Sequence, residues 1–238
     1  MVEYRQVNDS IVPNRIEENL TRKEDMNLEL LTCCRITAGL LYPPIPVQPA
    51  DLSQLYADMT QKYPYQTLQH LPDGVRMANP EGECLVQIGR LQVNENVMYF
   101  QASKEKCVDI FRMVADRFNI QQFLNFGVKL TAFLPIDMPG GAPAFMEQGG
   151  FRLSQGDWRL LGPGLQGAGM RVVLHQDGIV DLRIEPYFNN PSELYVELDM
   201  QHVEPFGSLE NVDVWMQNAY DYMFGSVKDF LSAMSKRR

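Results

Sequence analysis

The stretch GMRVVLHQDGIVDLRI, residues 169–184, decides the fold. Apolar and polar residues largely alternate on both sides of Asp177 and Gly178, which is typical of two strands that share one buried face. A short turn with Gly178 in the left-handed conformation can join such strands while keeping their faces matched. We therefore predict an antiparallel hairpin in which Leu174 lies opposite Val180 and Arg171 lies opposite Arg183. The side chains predicted to point into the core are Met170, Val172, Leu174, Val180, Leu182 and Ile184.

Three glycines just before this hairpin, Gly162, Gly164 and Gly167, have the G-x-G-x-x-G spacing of a dinucleotide-binding loop. That fingerprint requires a strand before the glycines and a helix after them, because the helix N-terminus holds the pyrophosphate. Here a strand follows, and Pro163 has no N–H to offer a phosphate. We therefore predict a loop between two antiparallel strands, and no bound cofactor. The wider region 135–170 holds 9 of the 17 glycines and is predicted to be a long mobile excursion.

The chain repeats its sequence pattern in the same order. RITAGL (35–40) matches KLTAFL (129–134). GVRMANPEGECLVQI (74–88) then matches the hairpin stretch, and VMYFQ (97–101) matches ELYVE (193–197). Because the offset between the matched stretches stays nearly constant, the series favours an internal duplication.

We predict an α+β fold of two tandem β-α-β4-α repeats, forming an antiparallel sheet covered by helices on one face. A polar N-terminal arm (1–28) would precede a first repeat (29–125) and a second repeat with a long C-terminal helix (126–238). In the first repeat, the predicted strands are 29–41, 65–71, 74–79, 83–91 and 96–102, and helices are capped by Asp51 and Ser103. In the second, the strands are 127–134, 157–162, 169–175, 179–188 and 193–203, with helices at 142–148 and after a cap at Ser208. Gly225, inside the last helix, is expected to mark a bend.

Composition argues against several classes of function. The formal net charge is −9, so a surface that tracks phosphates is not expected and nucleic acid is disfavoured as a partner. No run approaches the roughly 18 apolar residues of a membrane span. The polar N-terminus lacks an apolar signal core, so we expect a cytoplasmic protein that does not bind membranes. The cysteines (Cys33, Cys34, Cys84 and Cys107) are predicted to be buried free thiols, and the scattered histidines offer no zinc spacing.

The polar side of the predicted hairpins is the candidate binding face. Its residues are Arg171, His175, Asp181, Arg183, Glu185, Tyr195, Glu197, Asp199 and Gln201. Two of the registers compatible with short loops place Glu185 opposite Glu197 or Asp199, and a third places Asp181 opposite Asp199. Each brings two carboxylates together, which is destabilising unless something compensates. The face is therefore an ordinary solvated surface, a patch that binds a partner or ligand, or a hydrolytic carboxylate pair. His202 points the other way and is expected to be a hydrogen-bonded core residue.

These patterns carry two resemblances. The order of elements resembles the saddle of the TATA-box-binding protein family and the helix-grip folds, but DNA-binding saddles need a basic concave face, which an acidic chain does not suggest. The apolar first strand, LYADMTQKYP (55–64), RIEPYFNNPSELYVELD (183–199) and the final helix with Trp215, Ala219 and Phe224 resemble a sporadically distributed bacterial family of uncharacterised proteins of about 250 residues. The second resemblance supports a fold, and it gives no information about activity.

The sequence contains no recognisable catalytic constellation, so we expect a non-enzymatic interaction or accessory subunit. It would bind a protein partner through the polar face, the glycine-rich region or the arm. Its acidity suits a basic partner, as in a bacterial defence or toxin–antitoxin pair. The alternative is a small-molecule-binding or hydrolytic protein, with a pocket between the sheet and the long helices near Trp215 or Phe224. The partner's identity and the oligomeric state, a dimer among the options, stay open.

Overall fold

A computed structural model describes residues 26–151, 153 and 155–236. The strands are β1 (Thr32–Leu41), β2 (Thr67–Leu71), β3 (Gly74–Asn79), β4 (Gly82–Gln87), β5 (Arg90–Asn96), β6 (Asn125–Pro135), β7 (Met170–Gln176), β8 (Gly178–Pro186) and β9 (Glu193–His202). The helices are α1 (Pro49–Thr60), α2 (Phe100–Phe118), α3 (Gly141–Phe145), α4 (Gln155–Arg159), α5 (Glu210–Tyr222) and α6 (Lys228–Ser235). A 3-10 turn (Leu28–Leu30) and two π-helical turns (Met146–Gly150 and Met223–Val227) complete the described elements. The mixed α+β class is confirmed, whereas most of the predicted arm (1–25) lies outside the described residues.

One large antiparallel sheet contains all nine strands, in the order β2-β3-β4-β5-β1-β6-β9-β8-β7. The first strands of the two predicted halves, β1 and β6, lie side by side at its centre, where Thr37 is opposite Lys129. β5 flanks β1 on one side, and β9 flanks β6 on the other. The stretches RITAGL and KLTAFL are therefore neighbours in the sheet.

The core lies on one face of this sheet. Along β6, every second residue from Phe126 to Leu134 is buried, while the residues between them are half-buried. The buried stripes of α1, α2 and α5 join the same apolar cluster as these strand residues. Because an antiparallel sheet can bury one face and leave the other to water, the remaining face is open. It carries the alternate, polar residues of the strands.

The strand predicted at 96–102 is wrong. β5 ends at Asn96, and α2 begins at Phe100. The Phe100 ring stacks on Tyr220 with 4.0 Å between centroids, whereas Met98 and Tyr99 are 85% and 72% exposed. The periodicity of a short apolar run does not show whether it forms a strand or the start of a helix. Here the packing of Phe100 against Tyr220 favours the helix. The pairing of VMYFQ with ELYVE therefore fails, and the strand predicted at 83–91 divides into β4 and the start of β5.

The strand predicted at 157–162 is also wrong, because α4 occupies Gln155–Arg159. Trp158 packs edge-on against Phe151, with 5.5 Å between ring centroids. The glycine-rich loop therefore follows a helix, although the strand predicted after it is present as β7. The region 135–170 is not wholly irregular either, since Phe145 and Met146 are buried in the core.

The observed helix starts differ at two places from those that the predicted capping residues indicated. α1 begins at Pro49, where the missing N–H costs nothing, so Asp51 lies within the first turn. Ser103 lies inside α2 and does not cap it. The hydroxyl of Ser208 does accept a hydrogen bond from the Glu210 N–H at the start of α5, at 3.2 Å. Gly225 lies at the centre of the π-helical turn between α5 and α6, where the last helix departs from α geometry.

Candidate functional site: the open face of the sheet

The open face has two adjoining depressions, which together we call the groove. One, of about 550 Å³, lies over β6–β9–β8–β7, and the other, of about 570 Å³, lies over β5–β1–β6–β9. Both are lined by Lys129, Asp199 and Gln201. The groove therefore crosses the seam between the two halves of the chain.

One part of the groove floor, in the depression over β5–β1–β6–β9, is formed by glycines. Gly39 of β1 lies opposite Gly127 of β6, and both residues occupy the open face. A Cβ atom at Gly127 would be 3.8 Å from Cγ of Gln201, an ordinary contact distance. The bare backbone leaves room for side chains from a binding partner.

The register of the outer strands brings acidic residues together. In the β8–β9 pair, Asp181 lies opposite Asp199 and Arg183 lies opposite Glu197. This is the third of the registers considered from the sequence. Across β7–β8, Arg171 lies opposite Arg183, as the hairpin turn predicted.

Salt bridges compensate most of these charges. Arg171 binds Asp181 through both ends of its guanidinium group, with Nε–Oδ1 at 2.9 Å and Nη2–Oδ2 at 2.5 Å. Arg183 binds Glu185, with Nη2–Oε1 at 2.8 Å. The Arg171 hydrogen bonds lower the pKa of Asp181, with burial opposing the shift. These side chains form paired charges across the outer part of the groove, with the Arg171 and Arg183 side chains 69% and 50% exposed.

Asp199 is the least compensated carboxylate in the groove. Its nearest cation is the ammonium group of Lys129, 3.7 Å away, which also lies 3.3 Å from Glu197. Burial raises the pKa of Asp199, and the nearby Asp181 and Glu197 raise it further, against the lowering effects of Gln201 and Lys129. A further positive charge at this point would be stabilised by Asp199.

The first half of the sheet has the same geometry with a different residue in this position. Arg76 binds Glu83 at 2.5 Å, on the same diagonal of its hairpin as Arg171 and Asp181. The residue opposite Glu83 is Asn94, 5% exposed, whose amide donates to Glu83 Oε1 at 2.7 Å. In the second half, the residue opposite Asp181 is Asp199, so a carboxylate lies where the first half has the amide of Asn94.

All nine residues of the predicted binding face lie on the open face, but they are not equally central. Seven of them line the groove: Arg171, Asp181, Arg183, Glu185, Glu197, Asp199 and Gln201. Tyr195 lies beside it and donates its hydroxyl proton to Glu197, at 2.5 Å. His175 is exposed at the far end of β7, opposite Ile179. The prediction that Leu174 is a core residue is wrong, since it is 38% exposed on the edge strand.

Sequence reasoning missed Lys129 and Asn94. Lys129 faces Asp199 only because β6 pairs with β9, a contact between distant parts of the chain. Alternation along KLTAFL could have placed Lys129 on the polar face, but not beside Asp199. Asn94 was hidden because the failed match of 97–101 shifted the alignment of the two halves.

The region beneath the sheet was the alternative location for a ligand. Trp215 stacks on His202 with ring centroids 4.3 Å apart and on Phe126 at 5.7 Å, which fills the space next to the sheet. A smaller cleft of about 210 Å³ opens near Asn218 and Tyr222. His202 is only partly core-like: its Nε2 atom is buried and has no hydrogen-bond partner among the described residues. Burial lowers its pKa, while a hydrogen bond with the Asp177 backbone raises it.

All four cysteines are free, and Cys34 is only partly buried. Within residues 26–236, leaving out the two undescribed positions, no group of three or more His, Cys, Asp or Glu side chains could hold a metal ion. None of the helices described there is long and apolar enough to cross a membrane.

Comparison with known proteins gives no family. No model of a protein family matches the sequence, and no curated protein is similar to it. The resemblance to a bacterial family therefore stays a prediction.

Proposed function

We propose that the protein is a non-enzymatic interaction subunit that binds a basic segment of a partner protein in the groove. The observation that carries this proposal is the groove itself: a sheet face lined by polar side chains, with a bare floor at Gly39 and Gly127 and salt bridges on one side. Charges that the sheet register places at defined positions favour recognition of a partner with complementary charge.

The charges of the groove favour a protein cation. Three of its four basic side chains (Lys129, Arg171 and Arg183) are already bound to carboxylates, while Arg90 donates to the side-chain carbonyl of Gln92. Phosphates would have to compete with carboxylates at three of these four side chains, which disfavours nucleic acid. By contrast, a lysine or arginine of the partner would meet Asp199, whose charge is the least compensated.

An accessory subunit that masks a basic protein would use such a surface. A bacterial defence or toxin–antitoxin pair is a setting that fits this role. The support for this setting is the net charge of −9 and the incompletely compensated carboxylate of Asp199, since complementary charge increases the rate of association and suppresses wrong partners.

We also infer that the two halves descend from one duplicated β-α-β4-α unit. RITAGL and KLTAFL occupy adjacent central strands, and the Arg76–Glu83 pair has the geometry of the Arg171–Asp181 pair. In the second half, α4 lies where the repeat pattern predicts a strand. The groove is then asymmetric, since Asn94 in one half corresponds to Asp199 in the other.

The test is native affinity capture at about 0.15 M salt, followed by mass spectrometry of the retained proteins. We expect a stoichiometric basic partner that is lost from the triple variant Arg183→Ala, Glu185→Ala and Asp199→Ala. The matched control makes the same changes of residue type on the exposed side of α2: Arg112→Ala, Glu105→Ala and Asp116→Ala. A partner retained equally by both variants, or a protein that carries only a small molecule, would contradict the proposal.

A further inference from the structure

β7 forms one edge of the sheet. It pairs with β8, and no described strand lies on its other side. The outward backbone N–H and C=O groups of an edge strand are a template for another strand, so natural proteins protect such edges with lysine, proline, bulges or short length. β7 has seven residues and contains neither lysine nor proline.

The other edge strand is better protected. β2 has five residues and is followed directly by Pro72. Its exposed side chains are Thr67, Gln69 and His70, all of them polar. β7 instead exposes Val173 (48%) and Leu174 (38%). The two edges of the sheet therefore differ, and β7 is the one suited to pairing.

The single charged residue of β7 does not guard this edge. The guanidinium group of Arg171 is held by two hydrogen bonds to Asp181 on β8, at 2.9 and 2.5 Å. It is therefore directed along the sheet into the groove and away from an approaching strand. Its charge is neutralised within the same chain.

We propose that β7 pairs antiparallel with β7 of a second copy of this chain, making a two-fold symmetric dimer. Val173 is the midpoint of Met170–Gln176, so pairing centred on Val173 aligns the whole of both strands. Val172 then lies opposite Leu174 of the partner subunit. Registers displaced along the strand would leave the ends of both strands unpaired.

This register is also chemically self-complementary. It covers Val173 with the same residue on the open face, and it places the Val172–Leu174 pairs on the helix-covered face, where cross-strand aliphatic contacts stabilise a sheet. Arg171 would lie opposite His175 of the partner subunit while its guanidinium group stays on Asp181. A two-fold axis perpendicular to the sheet keeps both open faces on the same side, so the dimer would present two grooves side by side.

The first experiment measures mass by light scattering at about 0.15 M salt over a range of protein concentrations. We expect twice the chain mass of 27.2 kDa, with a larger dimer fraction when salt screens the net charge. Val173→Lys should yield a monomer with an unchanged far-ultraviolet circular dichroism spectrum. Gln69→Lys, an equivalent change on the open face of the other edge strand, should remain dimeric.

A second experiment tests the register. Directly opposed residues of antiparallel strands have Cα atoms about 4.5–5.5 Å apart, which falls within the range of about 4.4–6.8 Å that disulfides span. Val173→Cys should therefore form a disulfide between subunits when diamide is added, each bond consuming two thiols and reducing one diamide. Gln69→Cys and the wild-type protein control for the native thiols. A monomer at every concentration and salt tested, or an oligomer that Val173→Lys leaves intact, would overturn the proposal independently of whether the groove binds a partner.

Discussion

Asp199 and Asn94 occupy matching places on the open face, and this allows a residue-scale test of why an acid is present. We predict that Asp199→Asn stabilises the fold by about 0.5–1.5 kcal/mol, because the amide could donate to Asp181 as Asn94 does to Glu83. The reciprocal change, Asn94→Asp, should destabilise it by about 1–3 kcal/mol, because it buries a carboxylate beside Glu83. Urea unfolding at neutral pH measures both. A destabilised Asp199→Asn would contradict the prediction.

The difference in stability between the wild-type protein and Asp199→Asn should depend on pH in a defined direction. Burial raises the folded-state pKa of Asp199, so the folded state holds this proton more tightly than the unfolded state. The stabilising contribution of the protonated form is present below the unfolded pKa of about 3.9 and is lost as the pH rises through the folded pKa. The advantage of Asp199→Asn should therefore shrink as the pH falls toward 4.

The contribution of His202 to the pH dependence of stability has the opposite sign. Burial lowers its folded-state pKa, so the unfolded state binds the proton more tightly. Stability should fall as the pH drops below the unfolded pKa of about 6.5 and level off below the folded pKa. In His202→Gln, this part of the dependence should vanish, because the amide does not titrate. Parallel stability curves for the two proteins between neutral and mildly acidic pH would refute this assignment.

At the level of single residues, the sequence predicted the face of Arg171, Asp181 and Asp199 but not their partners. The alternation of polar and apolar residues along a strand depends only on neighbouring residues, and it shows which side chains share a face without showing what lies opposite them. The contact between Lys129 and Asp199 depends on a pairing between strands far apart in the chain, which no local pattern determines.

At the scale of elements, two glycines with opposite requirements offer a matched comparison. Gly225 has no atom within 4 Å of a built Cβ and lies in the helical π turn, so Gly225→Ala should stabilise the protein by about 0.5–1 kcal/mol. Gly178 has φ +144°, and its Cβ would lie 2.2 Å from the Gln201 carbonyl oxygen. Gly178→Ala should therefore destabilise the protein by at least about 1–3 kcal/mol. Thermal or urea unfolding of both variants distinguishes these effects, and equal shifts would contradict the account.

The elements that sequence predicted well are those with long alternation or a strong turn. The 169–184 hairpin and its register are confirmed, because Gly178 and alternating residues specify the same faces. The stretch 97–101 was misread because its apolar residues suit either a strand or a helix start. The stretch 157–162 was misread because the repeat pattern suggested a strand where packing of Trp158 favours a helical turn.

At the scale of the whole molecule, the open face is the feature that only the assembled sheet reveals. In each half, alternate residues of the strands are polar and lie on the open face. The groove forms where the two halves join, at β1 and β6. The sequence could predict a polar face on each hairpin, yet the adjacency of Gly39 and Gly127 needed the complete strand order. This is why the predicted binding face covered the β7–β8–β9 side of the groove and omitted its β1 and β6 residues.

The bare floor at Gly39 and Gly127 permits a test that separates binding from stability. Gly127→Val places a side chain on the groove floor, where the nearest atom to the new Cβ is 3.8 Å away. Because valine favours strands over glycine, stability should stay the same or rise by up to about 1 kcal/mol. Capture of the partner should nevertheless fall at least about tenfold, since a blocked central contact of about 1.4 kcal/mol has that effect.

Ala78→Val provides the control for this variant. Ala78 lies on the same face, opposite Glu83, but outside both depressions. It should change neither partner capture nor, by more than about 0.5 kcal/mol, stability. If Gly127→Val folds normally and still captures the partner as the wild-type protein does, the partner does not occupy the groove. Loss of capture in Gly127→Val alone would locate the contact at the seam between the two halves, because that is where Gly39 and Gly127 meet.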